Sequence, residues 1–346
     1  MKRLSIIVPV YNVEPYIERC LRSLEDQDIP KDDYEIICIN DGSPDDSRGV
    51  VLHLQEEFKN IILIDQENQG VSHARNNGIN NATGRYVLFI DSDDYIQTKS
   101  LSSVLKDVYA HDTQVSFLGY TILDENNIVQ KVRKYDVDKD KEYQGIDAYF
   151  ISRSGQTDPD SMVAVLFERN FLNINNLRYL PDVPFLEDGE FIARILCLAE
   201  RCIFNSIPFY QRTTRPGSAT NSKLFQSEKA TNGFLLAAGN LKRFQEELKM
   251  NGKPKVFLNQ PILKFVILSV DSSIESRSYK RFVDTVRTLK TLGLKRVILE
   301  GCNSEYRFLG KVFNVSPYLA ALTLIIYPRI NRWFPFNFDT KKIIGR

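Results

Sequence analysis

Four polar clusters near the start of the chain each follow a short apolar run, and their residue types are those that bind or move charge. Leu4–Val8 runs into Pro9-Val10-Tyr11-Asn12, Glu35–Ile39 into Asn40-Asp41-Gly42-Ser43, and Tyr86–Ile90 into Asp91-Ser92-Asp93-Asp94. Ile61–Ile64 leads through Asp65-Gln66-Glu67-Asn68 to a segment bearing Arg75. Bare carboxylates repel phosphate, so a carboxylate cluster facing a phosphorylated ligand needs a cation between them. Hard oxygen ligands suit Mg²⁺ or Mn²⁺, which bind through one or two carboxylates plus substrate phosphates. Taken singly, each cluster has a plainer reading. Asp91-Ser92-Asp93 is equally suited to capping the next helix, Asp41-Gly42-Ser43 to a turn, and Asp65 to either. His73 reads as a solvent-facing helix residue.

The elements that would hold these clusters alternate. The apolar runs above, with Val115–Leu118, are β-branched and read as buried strands of a mainly parallel sheet. Between them Ile17, Cys20, Leu21 and Leu24 share one helix face, with Pro15 in the first turn. Val50, Val51, Leu54 and Phe58 form a second stripe, preceded by Ser43-Pro44-Asp45-Asp46, which has the form of a capping box with proline at the first helical position. Val71, Ala74, Gly78, Ile79 and Ala82 form a third, entered through Asn68-Gln69-Gly70. Such alternation predicts a three-layer α/β sandwich, and an open sheet of this kind binds ligands beyond the carboxyl ends of its strands.

The totals exclude several classes. With 45 basic and 44 acidic side chains in 346 residues there is no surplus for gripping nucleic acid. Five scattered cysteines without a C-x-x-C pair suggest neither a disulfide framework nor structural zinc, and three dispersed histidines make no metal site. The amino terminus reads as a strand rather than a signal peptide, which points to the cytoplasm.

After about residue 121 the rhythm changes. A charged stretch, Asp136–Glu142, reads as a solvated loop, and Phe191–Leu198 has helical spacing. Residues 228–250 and 280–300 read as helices, so the C-terminal third is expected to be helical. Asn314 to Pro328 carries no charge, and residues 316–346 hold five basic side chains and one acidic. That tail, with Trp333, Phe334 and Phe336, fits either a membrane interface or a helix packed on the domain.

The order of the clusters resembles glycosyltransferase family 2, the inverting family with the GT-A fold. The matching stretches are LSIIVPVYNVEPYIERCLRSL, EIICINDGSPDDS, QENQGVSHARNNGI, GRYVLFIDSDDY, FLEDGEFIARIL and YQRTTRPGSATNS, within residues 1–220. The resemblance implies a GT-A catalytic domain over 1–225, with a nucleotide-binding half to 120 and an acceptor half from 121, then a helical region over 226–346. It implies that Pro9 and Tyr11 line the base pocket, Asp41 hydrogen-bonds the base, and Arg75 faces the nucleotide. Asp91-Ser92-Asp93 would be the Asp-x-Asp motif, with Asp91 toward the ribose and Asp93 on a Mn²⁺ or Mg²⁺ ion bridging the diphosphate. Glu187 and Asp188 would face the acceptor, Asp188 as general base, while Arg212, Arg215 and Ser218 close over the diphosphate. The expected activity is hexosyl transfer from a nucleotide-sugar donor, UDP by resemblance, to a saccharide acceptor, lipid-linked in many members and destined for surface polysaccharide.

Other classes stay in view. The same fold without catalysis would bind nucleotide-sugar or glycan only. A phosphatase or phosphotransferase that uses an aspartate nucleophile also suits paired aspartates after a strand, but the haloacid-dehalogenase-like pattern places them on the first strand, not the fourth. A dehydrogenase would need G-x-G-x-x-G after the first strand, and none is there.

Overall fold

The computed structural model describes residues 2–138, 140–153, 162–214, 223–248, 252–275 and 278–330. The chain alternates as read: β1 (Leu4–Val10), α1 (Glu14–Glu25), β2 (Tyr34–Asp41), α2 (Ser47–Glu57), β3 (Ile61–Gln66), α3 (Val71–Asn81) and β4 (Tyr86–Phe89). These four strands pair in parallel in the order β3-β2-β1-β4. Their alternating side chains serve two helical layers, because successive residues of a strand face opposite sides. Leu4, Ile6, Val8 and Val10 join Ile17, Leu21, Val51 and Leu54 in one core. Ile7 faces the other way, where a Cβ on Gly78 of α3 would come within 2.3 Å of it. That close approach explains a glycine inside a helix, where it otherwise costs about 1 kcal/mol.

Beyond β4 the sheet becomes mixed. After the short β5 (Tyr95–Ile96) come α4 (Leu101–Ala110), β6 (Val115–Leu123), β7 (Val129–Arg133), α5 (Gly145–Ser152), β8 (Val165–Glu168), α6 (Arg169–Ile174), α7 (Glu187–Leu198) and β9 (Cys202–Thr213). The nine-stranded sheet continues β4-β8-β6-β9-β5, with β8 antiparallel to both neighbours, β9 parallel to β6, and β7 on β6. The register of β9 on β6 breaks beside Gly119, where a Cβ would lie 2.3 Å from the carbonyl oxygen of Ile207. Past this bulge the outer half of β9 pairs with β5, which brings Tyr210 and Gln211 opposite Ile96 and Tyr95.

The chain forms two compact units that do not follow chain order. One holds residues 1–155, 161–181 and 198–216; the other holds 156–160, 182–197 and 217–346. The second is helical: α7 with α8 (Glu228–Glu247), α9 (Lys253–Glu275), α10 (Tyr279–Thr291), α11 (Ser304–Val315) and α12 (Pro317–Ile330). No helix among the described residues is long and apolar enough to cross a membrane.

Two local expectations change, and one helix of the C-terminal third had no pattern of its own. The capping box at Ser43 does not form: α2 starts at Ser47, the Ser43 hydroxyl donates to the Val10 carbonyl, and Asp45 accepts from Ser47. The helix expected over 280–300 stops at Thr291, ahead of Gly293 at φ 73°. The whole of α9 escaped the pattern because Phe257–Ser273 is buried on every side and leaves no polar stripe, while Pro261 reads as a breaker.

Candidate active site

The strand ends of the parallel half carry the expected polar groups, and the geometry divides them by role. Asp65 accepts from Nε and Nη2 of Arg48, at 3.0 and 2.8 Å, and from the Asn40 amide at 2.8 Å. Arg48, then Asn40, hold its carboxyl below the ordinary range against a smaller opposing effect of burial. Asp65 therefore ties β3 to β2 and α2. Asp41 is 3% exposed and accepts from the Gln66 amide (2.7 Å) and from the backbone N–H groups of Gln69 (2.9 Å) and Gly70 (2.8 Å). Gly70 sits at φ 90°, a left-handed backbone that glycine adopts without strain, and it caps α3 with no side chain of its own. The Asp41 carboxylate thus fixes the corner from which α3 departs. Tyr11 is exposed in the turn after β1, and Pro9 is half-buried on the strand.

From that fixed helix Arg75, itself buried, reaches Asp91 at 3.0 Å and lies 5.0 Å from the Tyr179 ring centre. Residues 91–94 form a turn closed by the Asp94 N–H on the Asp91 carbonyl at 2.9 Å. Exposure alternates along it: Ser92 and Asp94 are buried, while Asp91 and Asp93 are half-exposed. The two outward carboxylates are the candidate ligands, and the plainer capping reading fails, because the first N–H groups of α4 donate to the side chains of Gln27 and Asp28 instead.

What holds this turn in place came from elsewhere. The Asp94 carboxylate accepts from the Tyr210 hydroxyl (2.7 Å) and the Thr213 N–H (2.7 Å), and the Asp91 N–H donates to that same hydroxyl (3.2 Å). The Asp93 carbonyl accepts from the Arg19 guanidinium (2.9 Å) and the Thr213 hydroxyl (2.6 Å). Burial first, then the charges of Asp91 and Asp93, push the Asp94 carboxyl up to about 7. Burial likewise pushes the Tyr210 hydroxyl well up, so it stays a donor. Arg19, Tyr210 and Thr213 were missed, because they lie 74, 116 and 120 positions from their partners in the turn. Asp94 was visible in the acidic run, but its inward role was not.

The donor set fits a divalent cation shared with a ligand. No group of three His, Cys, Asp or Glu among the described residues could hold a metal by itself. Two half-exposed carboxylates leave the remaining positions to phosphate oxygens and water, as Mg²⁺ and Mn²⁺ favour.

Glu187 and Asp188 open α7 in the second unit, both half-buried in its first turn. There negative charge is favoured by the helix dipole. Two residues on, buried Glu190 accepts from Arg194 at 2.7 and 2.8 Å and from the Asn240 amide at 2.7 Å. That pair fixes α7 to α8. Arg212 is half-buried on β9; Arg215 and Ser218 lie outside the described residues.

Residues 5–164 match the model of glycosyl transferase family 2. The chain is 38% identical over 124 residues to glycosyltransferase GlyA of Streptococcus pneumoniae, 36% of this chain and 18% of that protein. It is 43% identical over 101 residues to the poly(ribitol-phosphate) beta-glucosyltransferase of Bacillus spizizenii, 29% of this chain and 16% of that protein. The chain thus spans less than a fifth of the length of these two relatives. In fold it resembles residues 1–349 of TarS from S. aureus, solved in complex with UDP-GlcNAc, with a TM-score of 0.70 at 18% identity over 94% of this chain and 92% of that one. The parallel sheet with its mixed extension is that of a GT-A fold, and a helical region accompanies it. Over residues 5–164 this chain is similar to glycosyltransferase family 2.

Proposed function

We propose that this chain is an inverting hexosyltransferase that moves a sugar from a nucleoside-diphosphate donor, with UDP as the nucleotide, to a saccharide hydroxyl. The observation that carries the reading is the Asp91–Asp93 turn: two outward carboxylates at the carboxyl end of a parallel strand, with buried Arg75 beside them. The base lies against Pro9 and Tyr11, near the strand end whose corner Asp41 fixes. Arg75 orients Asp91 toward the ribose, and Asp93, with Asp91 as its neighbour, holds Mn²⁺ or Mg²⁺. A bound cation there would supply positive charge against that of the diphosphate. Arg212, with Arg215 and Ser218, adds positive charge and hydrogen bonds on the same group.

Asp188, with Glu187 beside it, accepts the proton of the acceptor hydroxyl, a role worth roughly 10²–10⁴ in rate. The new bond joins the acceptor oxygen to the anomeric carbon. The bond from that carbon to the diphosphate oxygen breaks, and its electron pair leaves with the nucleotide. Attack from the side opposite the leaving group inverts the carbon, and no protein nucleophile takes part. We place the enzyme in the cytoplasm and in surface polysaccharide synthesis. A lipid-linked acceptor would bring it to the inner face of the membrane, with residues 316–346 as the contact.

The test is titration calorimetry with UDP, with and without Mn²⁺, on wild type and Asp93→Ala, followed by transfer from labelled UDP-sugars. Binding that needs both the metal and Asp93 is expected. Metal-independent binding would remove Asp93 from that role. Binding with neither transfer nor hydrolysis would leave a nucleotide-sugar binder.

A further inference from the structure

The last described helix, α12, is apolar on both of its sides, and only one of them is covered. Ala320, Ala321 and Leu324 are buried in the helical unit. Tyr318, Leu319, Leu322, Ile325 and Ile326 are 50, 46, 49, 45 and 38% exposed. At about 100° per residue the exposed set spans an arc of roughly 120° opposite the buried set. Solvent-facing helix surfaces are normally polar, so a stripe of five large apolar side chains calls for a partner.

We propose that this exposed face of α12 is a lipid-docking surface that lays the helix in the plane of an anionic membrane. It deepens the peripheral contact proposed above by naming the face and the lipid class, and it does not depend on glycosyl transfer. Length sets the orientation: α12 has 14 residues, or about 21 Å of helix, too short to span and sufficient to lie flat. Its rim carries tyrosines, whose rings suit the headgroup level. Tyr318 stacks edge-on against Phe282 of α10 at 5.1 Å, and Tyr279, one turn earlier in α10, is 73% exposed.

Charge selects the occupant. No charged residue falls between Asn314 and Pro328, and residues 316–346 then hold Arg329, Arg332, Lys341, Lys342 and Arg346 against Asp339 alone. A second copy of the chain would bring a segment of the same positive sequence charge, and like charges oppose that pairing. An anionic lipid surface carries the complementary sign, and basic residues beside an apolar helix face add to its binding.

The test is flotation of the full chain with phosphatidylcholine vesicles, with and without phosphatidylglycerol, in the absence of donor and acceptor. This proposal and glycosyl transfer can therefore fail separately. Wild type should float with the anionic vesicles and lose binding as salt rises. Replacing Leu319, Leu322 and Ile326 together by serine should cut the partition coefficient about tenfold or more. Ile174→Ser, at a 75% exposed apolar residue of α6, should leave it unchanged. Thermal melts followed by circular dichroism check the fold. Should the triple variant melt early, Leu322→Glu alone sets a like charge against the headgroups and serves instead. Wild type that stays with the pellet, or variants that float as it does, would overturn the proposal. A lipid-free dimer dispersed by the same substitutions, without flotation, would assign the face to a second copy instead.

Discussion

Asp91-Ser92-Asp93 sits in an irregular turn whose geometry is imposed from three other elements, by Arg19 of α1, Arg75 of α3, and Tyr210 and Thr213 of β9. Glu187-Asp188 opens a regular helix that its own next turn locks, through Glu190 on Arg194 and Asn240 of α8. A turn has few hydrogen bonds of its own, so the metal-binding pair proposed for this one depends on the tertiary structure. A helix fixes side-chain directions by its backbone, so the base proposed for α7 needs only the helix anchored. The two motifs should therefore fail differently when their supports are cut.

The largest contrast is between the acidic residues themselves. Asp93→Ala should remove the metal-dependent part of UDP binding and slow transfer by about 10²–10³, the loss typical of one electrostatic stabiliser. Asp188→Asn should slow transfer by roughly 10²–10⁴ while UDP binding stays at the wild-type value. Calorimetry and initial rates on both variants check this. If Asp188→Asn weakened UDP binding as much as Asp93→Ala, the division into a donor motif and an acceptor motif would be lost.

Next come the supports. Glu190→Gln takes the carboxylate from a buried ion pair, a change that costs about 3–5 kcal/mol when one partner is removed. Urea unfolding should show that loss, whereas UDP binding by the folded variant should be unchanged. Tyr210→Phe is milder in stability, about 1–3 kcal/mol for a buried carboxylate that loses one donor. Its effect on function should be the greater of the two, because the hydroxyl also holds the Asp91 N–H. Mn²⁺ dependence of UDP binding should shift to higher metal concentration in Tyr210→Phe and not in Glu190→Gln. The reverse pattern would mean that the turn holds its shape without β9.

The same contrast explains what could be read from the chain alone. β1 to β4 and α1 to α3 were legible within a few residues, because each buries one face and has a period to show for it. The outward carboxylates were legible as the polar ends of those strands. Asp94, Tyr210 and Thr213 as a lock were not, since their meeting depends on the bulge of β9 beside Gly119, which no local pattern announces. α9 was hidden for the opposite reason: uniform burial erases the period. Ser43 misled because its hydroxyl found the Val10 carbonyl across the strand end before it could cap a helix.

The smallest expected effect belongs to Asp65, which shares a strand end with the site but faces Arg48. The pair is about half exposed on both sides, so removing it by Asp65→Asn should cost no more than about 1 kcal/mol. Arg48 holds the Asp65 carboxyl below its ordinary value, so its contribution is complete above about pH 4 and fades as pH falls through the lowered value. Wild type and Asp65→Asn should therefore differ slightly in melting temperature at neutral pH and converge in acid, with UDP binding unaltered. A loss of metal-dependent binding in Asp65→Asn would show that the β3 end takes part in the donor site. Asp65 would then belong with Asp91 and Asp93 as a site residue, not with Glu190 as a support.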